Sequence, residues 1–175
     1  ITRDLALGYV LDLVMQLPQP SFKSGERTHY SNTGYVLLAN IVEKVTGQAF
    51  ADFASENIFK PFEMASTELM GLNSIEIPWS ATGYSASGTA NQLYRRNSAN
   101  LISQGDGGVF STLPDFAKWL SHLIARLPPR YLRDVPFRNG LQVKQLNSGT
   151  VYSHGGLSID AMRSYFWVSP ANQIA

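Results

Sequence analysis

The chain has 175 residues, 44% hydrophobic, 11% aromatic and 15% charged, with a formal net charge of +1. The aromatic and aliphatic load excludes intrinsic disorder, 14 glycines without a period exclude a collagen-like sequence, and the absence of cysteine excludes a disulfide scaffold and thiolate metal sites. No apolar run approaches the roughly 20 residues of a membrane helix, so no membrane-spanning segment is expected.

In chain order, Thr2 can cap a first helix with Leu7, Val10, Leu11 and Val14 at helical spacing, ended by Pro18 and Pro20. A turn-rich stretch, Ser21 to Glu26, leads into Tyr30-Ser31-Asn32-Thr33. The spacing then predicts a second helix with Tyr35, Leu38, Val42 and Val45 on one face and Gly47 as its stop. Phe50, Phe53, Ala54 and Ile58 predict a shorter helix closed by Pro61, and residues 64–108 show no sustained period and read as irregular chain with short elements. Thr112-Leu113-Pro114-Asp115 matches a capping box ahead of Phe116, Trp119, Leu120, Leu123, Ile124 and Leu127. Strands follow: Gly140–Leu146 and Thr150–His154 flank an Asn147-Ser148-Gly149 turn, Arg163–Val168 is a further strand, and Gln173-Ile174-Ala175 opens another.

Helices first and consecutive antiparallel strands afterwards predict an α+β fold. Ile1 opens no signal-like segment and the last strand has no room to run, so residues 1–175 read as part of a single domain truncated at both ends. Charge is uneven, −4 over residues 1–90 and +5 over 91–175. Arg126, Arg130, Arg133 and Arg138 would suit an anionic partner, but Pro128, Pro129 and Pro136 break any helix that could align them, and Tyr131 and Phe137 alone do not make the aromatic interleaving of a stacking platform. No nucleic-acid partner is expected.

Several chemistries lack their signatures. Gly105-Asp106-Gly107-Gly108 has no following Lys-Ser/Thr to cradle phosphate, no Gly-x-Ser-x-Gly elbow occurs, and His29, His122 and His154 stand too far apart for a paired metal motif. His122 lies inside the amphipathic helix as a partly exposed packing residue. Two short segments carry more. Tyr30-Ser31-Asn32 stands at the mouth of a helix, where a Tyr oxygen could act as a base beside a cation and an Asn amide could orient a carbonyl. The plainer reading is a packed Tyr before two capping residues. His154-Gly155-Gly156 ends a strand, where paired glycines let a substrate approach the backbone and a following amide can face an oxyanion. The plainer reading there is a loop with a surface His.

In combination and order, the motifs resemble those of a known superfamily. The run from Phe22 to Tyr35, continued through Leu38 to Phe50, Ile58 to Thr67 with its Ile58-Phe59-Lys60-Pro61 passage, and Gly107-Gly108-Val109-Phe110-Ser111-Thr112 followed by Asp115, is similar to the serine β-lactamase and penicillin-binding-protein superfamily. The branch it resembles is that of class C β-lactamases, DD-peptidases and esterases, and His154-Gly155-Gly156 falls at that family's Lys-Thr-Gly or His-x-Gly box. The resemblance implies a β-lactamase/transpeptidase-like fold and a serine hydrolase that forms and hydrolyses an acyl-enzyme on a peptide, amide or ester without metal or organic cofactor. A non-catalytic ligand-binding homologue of the same fold is the alternative, and a bacterial envelope or secreted location is the family's habit.

By that resemblance Tyr30 is the general base, Asn32 binds substrate, His154 replaces the third-motif Lys, Gly155 and Gly156 let the strand edge lie against substrate, and Leu157 supplies an oxyanion-hole amide. The family's acylated serine lies in a Ser-x-x-Lys motif. The residues three before Lys23, Lys44, Lys60, Lys118 and Lys144 are Pro20, Ile41, Asn57, Asp115 and Leu141, so the nucleophile is expected upstream of Ile1. The 175 residues alone are accordingly expected to be inactive and prone to aggregate. Because His carries charge only when protonated, its place at the Lys position favours peptidase, amidase or esterase chemistry over a true β-lactamase. Asp160-Ala161-Met162-Arg163-Ser164 also departs from the Gly-aromatic-x-Ser stretch of relatives.

Overall fold

A computed structural model describes residues 7–70, 79–89, 92–96, 103–127, 137–138, 140–157 and 162–174. In chain order its elements are α1 (Leu7–Met15), α2 (Asn32–Thr46), α3 (Phe50–Ala54), β1 (Glu68–Leu69), β2 (Tyr84–Thr89), β3 (Gln92–Arg96), β4 (Val109–Phe110), α4 (Leu113–Ile124), β5 (Phe137–Arg138), β6 (Leu141–Leu146), β7 (Gly149–Leu157) and β8 (Arg163–Val168). The mixture of helices and antiparallel sheets is α+β. The chain divides into two compact units, the first comprising Ile1–Pro61, Thr67–Ser80 and Asn100–Phe110, the second Phe62–Ser66, Ala81–Ala99 and Ser111–Ala175.

In the first unit α1 ends at Met15, before Pro18, and the expected cap Thr2 lies outside the described residues. Helix α2 has both ends specified locally. The Ser31 hydroxyl oxygen accepts from the Gly34 N–H at 3.0 Å, and Gly47, at φ 70°, donates its N–H to the Glu43 carbonyl at 2.9 Å. Its buried face differs from the expected one. Val36, Ala39 and Asn40 turn inward, the first two packing with Val10 and Phe50, whereas Leu38 is 54% and Val45 80% exposed. Close backbone approach decides this: Gly105 lies so near the helix that a Cβ there would sit 2.9 Å from the Ala39 methyl, leaving room only for small side chains.

Helix α3 is tied to α2 by the Phe50 N–H, which donates to Glu43 Oε1 at 2.8 Å, and it continues as a π-helical turn over Ser55–Phe59 up to Pro61. Strands β1 and β4 pair antiparallel.

The second unit holds a four-stranded antiparallel sheet in the order β5-β6-β7-β8. Helix α4 packs on it: Leu120 joins Leu141, Tyr152 and Val168 in one buried cluster, flanked by Phe116, Trp119, Leu123, Ile124 and Phe166. Phe116, Trp119 and Phe166 meet with ring centroids 5.3–5.5 Å apart. The cap forms as expected, with Thr112 Oγ1 accepting from the Asp115 N–H at 3.4 Å. The buried Asp115 carboxylate accepts from the Ser66 N–H at 2.6 Å and from Lys118 Nζ at 3.2 Å, while Lys118 also donates to the Glu63 carbonyl. His122 stacks on Phe62 with centroids 4.0 Å apart, half-buried as a packing residue.

Two further outcomes bear on the expectations. Strands β2 and β3 pair antiparallel, Tyr84 opposite Arg96, a pairing that the lack of a sustained period hid. The β6–β7 turn is tighter than expected: Leu146 pairs with Gly149, so only Asn147 and Ser148 lie in the loop and Gly149, at φ 130°, opens the strand. Arg130 and Arg133 lie outside the described residues.

Candidate functional site

Tyr30 and Asn32 flank the Ser31 cap of α2 in the first unit. Because the Ser31 side chain is committed to the Gly34 N–H, the turn is fixed by backbone chemistry, and Tyr30, 64% exposed, and Asn32, also exposed, keep their polar groups at the surface. Below this turn the Ser103–Gly108 loop lies against α2. Ser103 Oγ donates to Asp106 Oδ1 at 2.9 Å, Gln104 Nε2 donates to the Met70 carbonyl at 2.9 Å, and the Met70 N–H donates to the Gly108 carbonyl at 2.8 Å.

His154, Gly155, Gly156 and Leu157 are the last four residues of β7 in the second unit, so the strand expected to end at His154 runs on to Leu157 and the plainer loop reading does not hold. They pair with Phe166, Tyr165, Ser164 and Arg163 of β8. The register with β6 stops at Ser153, so among the described residues the stretch after it has a strand partner on the β8 side alone. An open strand edge presents backbone N–H and C=O groups to an extended ligand.

Alternation along the strand puts His154 and Gly156 on the face of Ser164 and Phe166, with Gly155 and Leu157 on the face of Arg163 and Tyr165. The glycines confirm it, since a Cβ on Gly155 would lie 3.2 Å from Tyr165 Cδ2 and one on Gly156 2.6 Å from Ser164 Oγ. A cavity of about 490 Å³ is lined by Gly155, Gly156, Leu157, Arg163, Ser164 and Tyr165. Of the three β8 residues, Arg163 and Ser164 stood in the sequence only as part of a departure from the pattern of relatives, and Tyr165 was not singled out. Strand register is the signal that joins them to the glycine pair. Tyr30 and Asn32 therefore stand together in one unit, and His154 through Leu157 stand together in the other. No helix among the described residues is long and apolar enough to cross a membrane.

The chain is 27% identical over 158 residues to a D-aminopeptidase of Brucella anthropi, a match covering 82% of the chain and 30% of that protein. It superimposes on an octameric penicillin-binding protein homologue from Pyrococcus abyssi with a TM-score of 0.81 at 21% identity, covering 99% of this chain and 43% of that one. A D-stereospecific amidohydrolase from Streptomyces sp. gives a TM-score of 0.74 at 23% identity, covering 96% and 54%. The chain thus spans between about a third and a half of the length of these relatives, and its fold is β-lactamase/transpeptidase-like. Since the Beta-lactamase family profile matches residues 9–175, nearly the whole sequence, the chain belongs to the beta-lactamase family.

Proposed function

We propose that residues 1–175 are part of the single catalytic domain of a serine hydrolase that forms an acyl-enzyme on a peptide or amide, with esters as a further class. The observation that carries this reading is the His154–Leu157 stretch of β7, paired among the described residues on the β8 side alone and carrying two glycines where a substrate backbone would lie. Family membership over residues 9–175 and the Tyr30-Ser31-Asn32 turn support it. The named activities of the relatives, a D-aminopeptidase and a D-stereospecific amidohydrolase, favour a D-configured amide as substrate.

In this reading a serine supplied from outside the 175 residues attacks the substrate carbonyl. Tyr30, as the general base of this reading, accepts the serine proton and passes it to the departing amine, so that a C–O bond forms as the C–N bond breaks. Water then attacks the ester with Tyr30 taking its proton, releasing the acid and restoring the serine. The Leu157 N–H faces the oxyanion, Asn32 holds the substrate amide, and His154 supplies the polar group at the strand edge.

The test is intact-mass spectrometry after treatment with a serine-directed acylating probe. One sample is the protein extended upstream to include a Ser-x-x-Lys segment, and the 175-residue chain is the control. A single adduct on the longer protein, absent from the control and lost when the motif Ser is changed to Ala, is the expected result. A folded longer protein that takes up no probe would replace this reading with that of a ligand-binding homologue.

A further inference from the structure

Of the glycines described in the first unit, Gly105 is the one at which an added Cβ would meet its neighbours most closely. It adopts φ +100°, and a Cβ built on it would stand 2.5 Å from the Tyr35 carbonyl oxygen and 2.9 Å from the Ala39 methyl. Ordinary C···O contacts are about 3.3–3.6 Å, so the added carbon would require a displacement of about 1 Å. The loop is poorly able to yield, because Gln104 and Gly108 both tie it to Met70 and β1 pairs with β4 just beyond. On the other side of the contact, Tyr35 lies in the first turn of α2, directly after the Tyr30–Asn32 segment and its Ser31 cap, where the helix carries exposed residues. A helix moves as a rod over such short distances, so what shifts the Tyr35 carbonyl shifts Asn32 and Tyr30 with it.

We infer that Gly105 is a positioning residue: through contact with α2 it sets the height of the Tyr30–Asn32 turn. Its consequence for turnover rests on the hydrolase reading proposed above, but its hold on the turn does not.

Gly47 supplies the control. It caps the other end of the same helix at φ +70°, yet a Cβ there meets nothing within 4 Å, so Gly47→Ala carries the backbone strain without the steric push. In the protein extended to its acylated serine, two quantities are compared for wild type, Gly105→Ala and Gly47→Ala: the acylation rate with the serine probe, and amide hydrogen exchange over residues 31–35. Gly105→Ala is expected to slow acylation at least about tenfold, in line with the large cost of a 1 Å misplacement, and to raise exchange in that turn. Gly47→Ala should leave the acylation rate unchanged and raise exchange only near its own end of the helix.

Equal acylation rates in the two variants, or a Gly105→Ala protein with unchanged exchange at residues 31–35, would overturn the inference. If Gly105→Ala does not fold, Gln104→Ala releases the loop from Met70 without adding an atom. It should move both readouts in the same direction by a smaller factor, and no change in either would overturn the inference. Should the wild-type protein take up no probe, the hydrolase reading fails and the exchange comparison alone decides whether Gly105 holds the turn.

Discussion

Replacing Tyr30 by Phe removes one oxygen from an exposed ring and leaves the Ser31 cap intact. Thermal stability should therefore stay within the range of an ordinary surface change, about 0.5 kcal/mol. Acylation in the extended protein should fall about 10²–10⁴-fold, the range for loss of a general base. Measuring the melting temperature and the acylation rate on the same preparation checks both. At the other motif, Gly156→Ala brings a methyl to 2.6 Å from Ser164 Oγ, the end of a side chain that can rotate away. Its cost should be about 1 kcal/mol or less. Ser164→Ala removes the obstructing oxygen, so the double variant should recover most of that loss in denaturant titration, whereas an additive pair would mean that the contact does not matter.

Asp115 shows the same logic for a whole element. Its carboxylate accepts from the Ser66 N–H and Lys118 Nζ, joining the start of α4 to the 62–66 segment, and Asp115 itself is buried. Asp115→Ala leaves the Ser66 N–H without this acceptor, and the loss of a buried partner costs about 1–3 kcal/mol. Urea denaturation of the extended protein should show a midpoint lowered accordingly, and Asp115→Asn, which keeps an acceptor oxygen, should lie between the two. The Thr112 cap was legible because Thr-x-x-Asp before an amphipathic run is a local signal. The Ser66 contact was not, since the two residues are 49 positions apart and only the folded chain brings them together.

For the molecule as a whole, exposed apolar surface governs the behaviour of the 175 residues in solution. Strand β8 is the last strand of its sheet, its outer edge meets no other named strand among the described residues, and Tyr165 and Trp167 are respectively 67% and 44% exposed. Arg163 is the one charged residue of β8, at its first position, and an edge strand whose remaining large exposed side chains are aromatic is a template for association. Sedimentation velocity over a concentration series should show the 175-residue chain associating, and Trp167→Lys should shift it towards monomer. A chain that stays monomeric throughout, with a cooperative melting transition, would contradict this.

The line between what sequence alone determined and what required the fold follows the range of the interactions. Ser31, Gly47 and Thr112 mark helix ends through bonds to residues a few positions away, and the Asn-Ser-Gly stretch made the β6–β7 hairpin readable for the same reason. The ordered motifs also disclosed the family, because each is a short contiguous string. Periodicity, however, assigned the greasier stripe of α2 to the interior, whereas the buried face is that of Val36 and Ala39, where Gly105 approaches the Ala39 methyl and Val10 and Phe50 pack. In the same way Gly155 and Gly156 were visible as a pair, but Tyr165 and Ser164 became their counterparts only once β7 and β8 were in register. Local backbone preferences are written residue by residue in the chain, while steric exclusion between segments distant in sequence exists only after they have packed.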